Sequence, residues 1–116
     1  MEAVEIHPKG WGYEKWIVNK KEYCGKLLFF REGLKCSYHY HKIKDEVFYV
    51  QSGMMYITHG KTDDINEAKT EILRAGDTFH VPVGLRHQMK SITDTELFEF
   101  STQHFEDDSY RVVKGD

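Results

Sequence analysis

The stretch "SYHYHKIKDEVFYVQSG" (37–53) holds three side chains that make good metal donors: His39 and His41, one residue apart, and Glu46, five residues further on. In an extended strand, residues i and i+2 point to the same face. His39 and His41 therefore share a face, and Tyr38 and Tyr40 take the other, together with Cys36 by the same parity. A turn at Lys42–Asp45 then opens a second strand, on which Glu46, Phe48 and Val50 share a face. If the two strands are adjacent and antiparallel, two imidazoles and a carboxylate come within a few ångströms. Neutral imidazole nitrogens and a carboxylate oxygen suit a divalent ion at roughly 2.0–2.2 Å. Manganese, zinc, iron and nickel all fit such a donor set, and positions remain open for substrate.

Ligands on strands need a rigid frame, and the chain supplies short apolar or alternating runs throughout. These are "YEKWIV" (13–18), "KLLFF" (26–30), "CSYHYH" (36–41), "EVFYVQ" (46–51), "MMYIT" (54–58), "TEILR" (70–74), "TFHVP" (78–82), "HQMKSI" (87–92) and "LFEFS" (97–101). Turn residues such as Gly33, Ser52-Gly53, Gly76-Asp77 and Gly84 separate them. Many short strands with regular turn signals predict an all-β barrel or sandwich. The one candidate helical turn is "DDINEA" (63–68), in the longest polar connection, and it reads equally as a plain loop. At 116 residues the chain is expected to form one domain, residues 1–116.

Two spacings stand out. The first is Gly33, five residues, His39-x-His41, four residues, Glu46, six residues, Gly53; the second is Gly76, five residues, Pro82-x-Gly84, two residues, His87. A chain of this composition produces the first by chance about 2 times in 10,000. Together they resemble the two sequence motifs of the cupin family. The first motif matches throughout. The second carries Ser91 where the family usually has asparagine, at a position that is not a metal ligand. The resemblance covers roughly residues 24–101. It implies a double-stranded β-helix, a jelly-roll barrel, with one divalent metal held inside by His39, His41, Glu46 and His87. The remaining histidines gain nothing from it: His7, His59 and His104 are expected at the surface or in loops, and His80 in a structural role.

The flanks are similar to more particular cupins. "GWGYEKWIV" (10–18) and the run from Cys24 into the metal motif resemble the cupin domain of type II phosphomannose isomerases. "EFSTQHFEDDSYR" (99–111) resembles the end of that domain and the matching segment of D-lyxose isomerase-like cupins. That resemblance implies a sugar or sugar-phosphate aldose–ketose isomerase in which Glu99 is the catalytic base. Strand parity puts Leu97, Glu99 and Ser101 on one face of their strand and Phe98 and Phe100 on the other. Glu99 reaches the metal only if its face lines the barrel. Two other classes stay open: an iron-dependent cupin oxygenase, and a non-catalytic module that binds a sugar or effector.

Composition narrows the partners. The formal net charge is -3 and no basic block is present, so no nucleic-acid contact is expected. No apolar run is long enough for a membrane span or a signal peptide, and a cytoplasmic protein is expected. Cys24 and Cys36 form no zinc-ribbon or CxxC pattern and read as reduced thiols. Arg31, Lys35, Lys42 and Lys44 read as solvated surface, with one or two free to meet an anionic substrate. Asp107 and Asp108 read as a solvated tail or part of a lid. The expected partners are a small molecule, a carbohydrate on the isomerase reading, and a second copy of the chain. Trp11, Tyr13, Trp16, Ile17 and Val18 are the candidates for a homodimer interface.

Overall fold

Alternation of buried and exposed side chains organises the computed structural model, which describes residues 4–116. Eleven strands run β1 (Glu5–Lys9), β2 (Gly12–Asn19), β3 (Cys24–Phe30), β4 (Tyr38–Tyr40), β5 (Glu46–Ser52), β6 (Met54–Gly60), β7 (Lys69–Arg74), β8 (Thr78–Val81), β9 (Arg86–Ser91), β10 (Thr95–Ser101) and β11 (Tyr110–Val113). A short 3-10 turn at Ile65–Glu67 is the only helical element among the described residues. It sits where the polar 63–68 segment predicts one, and the Asp64 side chain accepts from the Asn66 amide at its start. Among the described residues, no helix is long and apolar enough to cross a membrane.

The strands form two antiparallel sheets. The six-stranded sheet runs β1-β2-β3-β10-β5-β8, and the five-stranded sheet runs β11-β4-β9-β6-β7. This is the all-β barrel that the strand pattern predicts, in the jelly-roll form that the family resemblance implies. All nine predicted strands are present. The two edge strands β1 and β11 are additional; β1 carries Pro8, which suits an edge position.

Packing between the sheets explains why the alternating residues hold these strands. Leu28, Phe30, Phe48, Val50, Met55, Ile57, Leu73, Val81, Met89 and Leu97 form one buried cluster. Each such side chain contributes about 1.5–3 kcal/mol on burial. Trp11 closes this core by stacking on Phe30, with ring centroids 4.0 Å apart.

Cross-strand register divides the barrel interior into two ends. On one side, Leu97 pairs with Leu28 and with Val50. Two residues along, Glu99 pairs with Lys26 and with Phe48, and then Ser101 pairs with Cys24 and with Glu46. The inward faces of β3, β5 and β10 therefore change from aliphatic to charged along their length. The charged end is where the three histidines gather.

The N-terminal aromatics pack on the barrel itself. Trp11 is core, Trp16 lines the interior cavity, and Tyr13 stacks on Phe29 at 5.3 Å. Of the five residues put forward for a dimer contact, Ile17 is the one that is openly exposed.

Candidate metal centre

Three imidazoles meet at the charged end. His39 on β4 lies directly opposite His87 on β9 in the register of the five-stranded sheet. His41 follows β4 by one residue. One nitrogen from each of the three rings lies within 4.8 Å of the other two. Glu46 approaches from the opposite sheet: its Oε2 is 3.2 Å from His41 Nε2 and 3.3 Å from His87 Nε2. This corrects the pairing expected from the sequence. β4 and β5 are not neighbours in one sheet; the 42–45 turn crosses between the sheets, so Glu46 faces the histidines across the barrel.

Backbone carbonyls fix the chemistry of the rings. His39 Nδ1 lies 2.8 Å from the Ser37 carbonyl, His41 Nδ1 lies 2.6 Å from the Asp108 carbonyl, and His87 Nδ1 lies 3.0 Å from the Leu85 carbonyl. A carbonyl only accepts, so each Nδ1 must carry the proton and each Nε2 keeps a free lone pair. That is the tautomer a metal ligand needs. Burial and the neighbouring His87 and His41 hold His39 well below the usual histidine range, which keeps it neutral. Burial opposes the charge on Glu46, but Lys44 and the imidazoles of His41 and His87 outweigh it and hold the carboxyl well below the usual range.

Glu46 Oε2 and His87 Nε2 are buried without a hydrogen-bond partner. Orphaned acceptors of this kind are costly unless something satisfies them. A divalent cation among neutral imidazoles and a carboxylate would do so, and the three-histidine cluster is able to hold one.

Glu99 lies in the same interior. It is 3% exposed and Leu97 on the same face is 0% exposed, whereas Phe100 is 56% exposed. The face carrying Glu99 therefore lines the barrel, which resolves the alternative left open by parity. Lys44 donates to Glu99 Oε2 at 3.0 Å and lies 3.5 Å from Glu46 Oε1. Ser101 donates to the same Glu99 oxygen at 3.0 Å. Burial and the Glu46 charge push Glu99 above the usual carboxylate range, against the pull of Lys44. Burial alone would lower Lys44, yet Glu99 and Glu46 together hold it above the usual lysine range.

Several placements differ from the sequence reading. Lys44 is buried in the site rather than solvated. Lys26 is also buried, at 3.5 Å from Glu14 and with its ammonium 4.3 Å from the Trp16 ring centre. Its parity with Leu28 and Phe30 in "KLLFF" is a signal that finds it. Cys36 faces the core and the cavity, not away from them, because β4 begins only at Tyr38 and strand parity does not reach back to 36. Its thiol accepts from the Met89 amide at 3.3 Å. His104 is a wall of the cavity: its Nδ1 is 3.2 Å from Lys44 Nζ, and burial, Lys26 and Lys44 lower it to about 3. His7 lines the same cavity, stacked on Trp16. His59 pairs with Glu71 and His80 with Asp45, both outside the site. Asp108 is neither tail nor solvated: its carboxylate accepts from the amides of Lys42, Ile43 and Lys44 at 2.8–3.2 Å. Ser91, where the motif usually has asparagine, donates to the Arg31 carbonyl and so ties β9 to the turn at Gly33.

The cavity holding these groups measures about 650 Å³ and is lined by His39, His41, Glu46, His87, Lys44 and Glu99 among others. A family model for the cupin domain matches residues 28–100. The chain belongs to the cupin family. No curated protein shows significant sequence similarity to this cupin. Among solved structures, the capsular polysaccharide assembling protein CapF from Staphylococcus aureus superposes with a TM-score of 0.81 at 18% identity, covering 96% of this chain and 34% of CapF. Oxalate decarboxylase from Bacillus subtilis gives 0.80 at 17% identity, with 93% of this chain and 30% of that one. KdgF from Halomonas sp. gives 0.70 at 19% identity, with 82% of this chain and 81% of KdgF. The cupin thus spans about a third of the first two proteins, and at these identities the likeness speaks for the fold alone. None of the three is a phosphomannose isomerase.

Proposed function

We propose that this cupin is a metal-dependent aldose–ketose isomerase acting on a sugar or sugar phosphate. The observation that carries the reading is Glu99: a buried carboxylate with a raised pKa, opening on the same cavity as the imidazole cluster. His39, His41, His87 and Glu46 would hold one divalent ion; oxalate decarboxylase, of the same fold, has Mn(II) centres. Such an ion supplies Lewis acidity toward two adjacent oxygens of an open-chain sugar. Glu99 takes the proton from one carbon and returns it to the next, and a base with a pKa nearer neutrality suits both transfers. Lys44 stands between the two carboxylates and offsets their repulsion, so that Glu46 stays charged while Glu99 exchanges its proton. Trp11, Phe30 and Phe48 exclude water on the apolar side of the cavity.

The test starts from protein purified without an affinity tag. Elemental analysis identifies the metal, and a panel of sugars and sugar phosphates is then assayed with that metal. Turnover should place solvent deuterium at carbon 1 or 2 of the product. An active enzyme that excludes solvent deuterium overturns the proton-transfer mechanism. A second reading, an iron(II) oxygenase, draws on the three-imidazole cluster itself; substrate-dependent oxygen uptake would favour it over isomerisation. Binding without turnover would favour an effector module. A cytoplasmic setting, in which the buried Cys24 and Cys36 stay reduced, is part of the same proposal.

A further inference from the structure

We infer that Asp108 is a positioning residue that couples metal occupancy to docking of the 102–109 segment against the cavity. The inference rests on the metal-site part of the functional reading and is independent of the isomerisation.

Residues 102–109 follow β10 and supply His104, Glu106 and Ser109 to the cavity wall. The segment is held at three places. Thr102 and Asp45 exchange two hydrogen bonds, at 3.0 and 3.1 Å. The Asn19 side chain accepts from the His104 amide at 2.8 Å and donates to its carbonyl at 3.0 Å. Asp108 forms the third contact, and it alone is wired to a proposed ligand. Its carbonyl takes the Nδ1 proton of His41 at 2.6 Å. Its carboxylate gathers the amides of Lys42, Ile43 and Lys44, in the turn that carries the chain from His41 to Glu46. One 3%-exposed residue thus touches the proposed ligand His41 and holds the turn that leads to Glu46.

The coupling has a physical cause. A cation on His41 Nε2 withdraws charge from the ring and makes Nδ1–H a better donor, which strengthens the bond to the Asp108 carbonyl. Linkage is reciprocal, so a wall docked through Asp108 must also raise metal affinity. Carbonyl and carboxylate partners of this kind typically change metal affinity 10–100-fold.

The experiment titrates Co²⁺ into metal-free wild type, Asp108→Asn, Asp108→Ala and Asn19→Ala, reading affinity from the visible absorption of the bound ion. Hydrogen exchange of the 42–44 and 104–109 amides is followed in the metal-free and loaded states. Asp108→Ala keeps the backbone carbonyl on His41 but removes the contacts that hold the 42–44 amides, so it should weaken Co²⁺ binding about 10-fold, the low end for such partners, and Asp108→Asn by less, because one acceptor oxygen is kept. Loading should slow exchange of both segments in wild type and less so in the Asp108 variants. Asn19→Ala loosens the same wall at His104 but keeps every Asp108 contact, so it should lower thermal stability and weaken Co²⁺ binding by less than Asp108→Ala does. Folded Asp108→Asn and Asp108→Ala variants with wild-type Co²⁺ affinity would overturn the inference and leave the metal site standing. So would equal exchange in both metal states. A wild type that binds no Co²⁺, Zn²⁺ or Mn²⁺ would overturn both.

Discussion

At the scale of single residues, the site works through placement more than through unusual residue types. Glu99 lies on the Leu97 side of its strand, against Lys44 and Ser101. Glu99→Gln should lower turnover about 10²–10⁴-fold while leaving metal content unchanged, checked by steady-state kinetics beside elemental analysis. His87→Ala should strip most of the metal from dialysed protein, because it removes an inward Nε2 at the centre of the cluster. His104 makes a separate prediction about pH. Its folded imidazole is lowered to about 3, against 6.5 for the free side chain. The unfolded chain therefore binds the extra proton first as pH falls. Stability should decline from about pH 6.5 down toward 3, and His104→Gln should flatten that part of the curve in urea titrations. No spacing or motif in the sequence assigns these roles to His104, Asp108 or Lys44. Their roles come from contacts between segments far apart along the chain, which neither parity nor composition encodes.

At the scale of the elements, what was legible follows from periodicity. The nine apolar runs became strands because alternation is a local property, and the inward side of β10 followed once one face had to bury Leu97. Pairing was not legible in the same way. β4 and β5 are separated by only five residues, yet Asp108 holds the 42–45 turn so that it leaves one sheet and enters the other. β11 escaped notice because four residues with a polar neighbourhood give little pattern. Turn glycines carry a testable constraint. Gly53 joins β5 to β6 with φ +91, and an added Cβ would meet the Asp94 carbonyl oxygen at 2.2 Å. Gly53→Ala should cost about 1–3 kcal/mol in urea unfolding, through both backbone strain and that clash.

At the scale of the whole molecule, the family fold was readable because two spaced motifs each specify turns and inward side chains together. Quaternary state was not, since interface residues have no period of their own. Ile17 and Phe100 remain exposed on the outer side of the six-stranded sheet. A homodimer that covers them is our expectation, to be checked by light scattering at micromolar concentration; a monomer mass ends it.

The division of ligands between the sheets has a kinetic consequence. The histidines belong to one sheet and Glu46 to the other, so the complete donor set exists only after the sheets have packed face to face. An ion bound there stabilises the native state and not the barrier that precedes it. Metal loading should therefore slow unfolding and leave the refolding rate nearly unchanged: in a chevron plot the unfolding arm drops while the folding arm stays in place. A refolding rate that rises with metal concentration would mean instead that the His39–His41 strand captures the ion early, before Glu46 arrives.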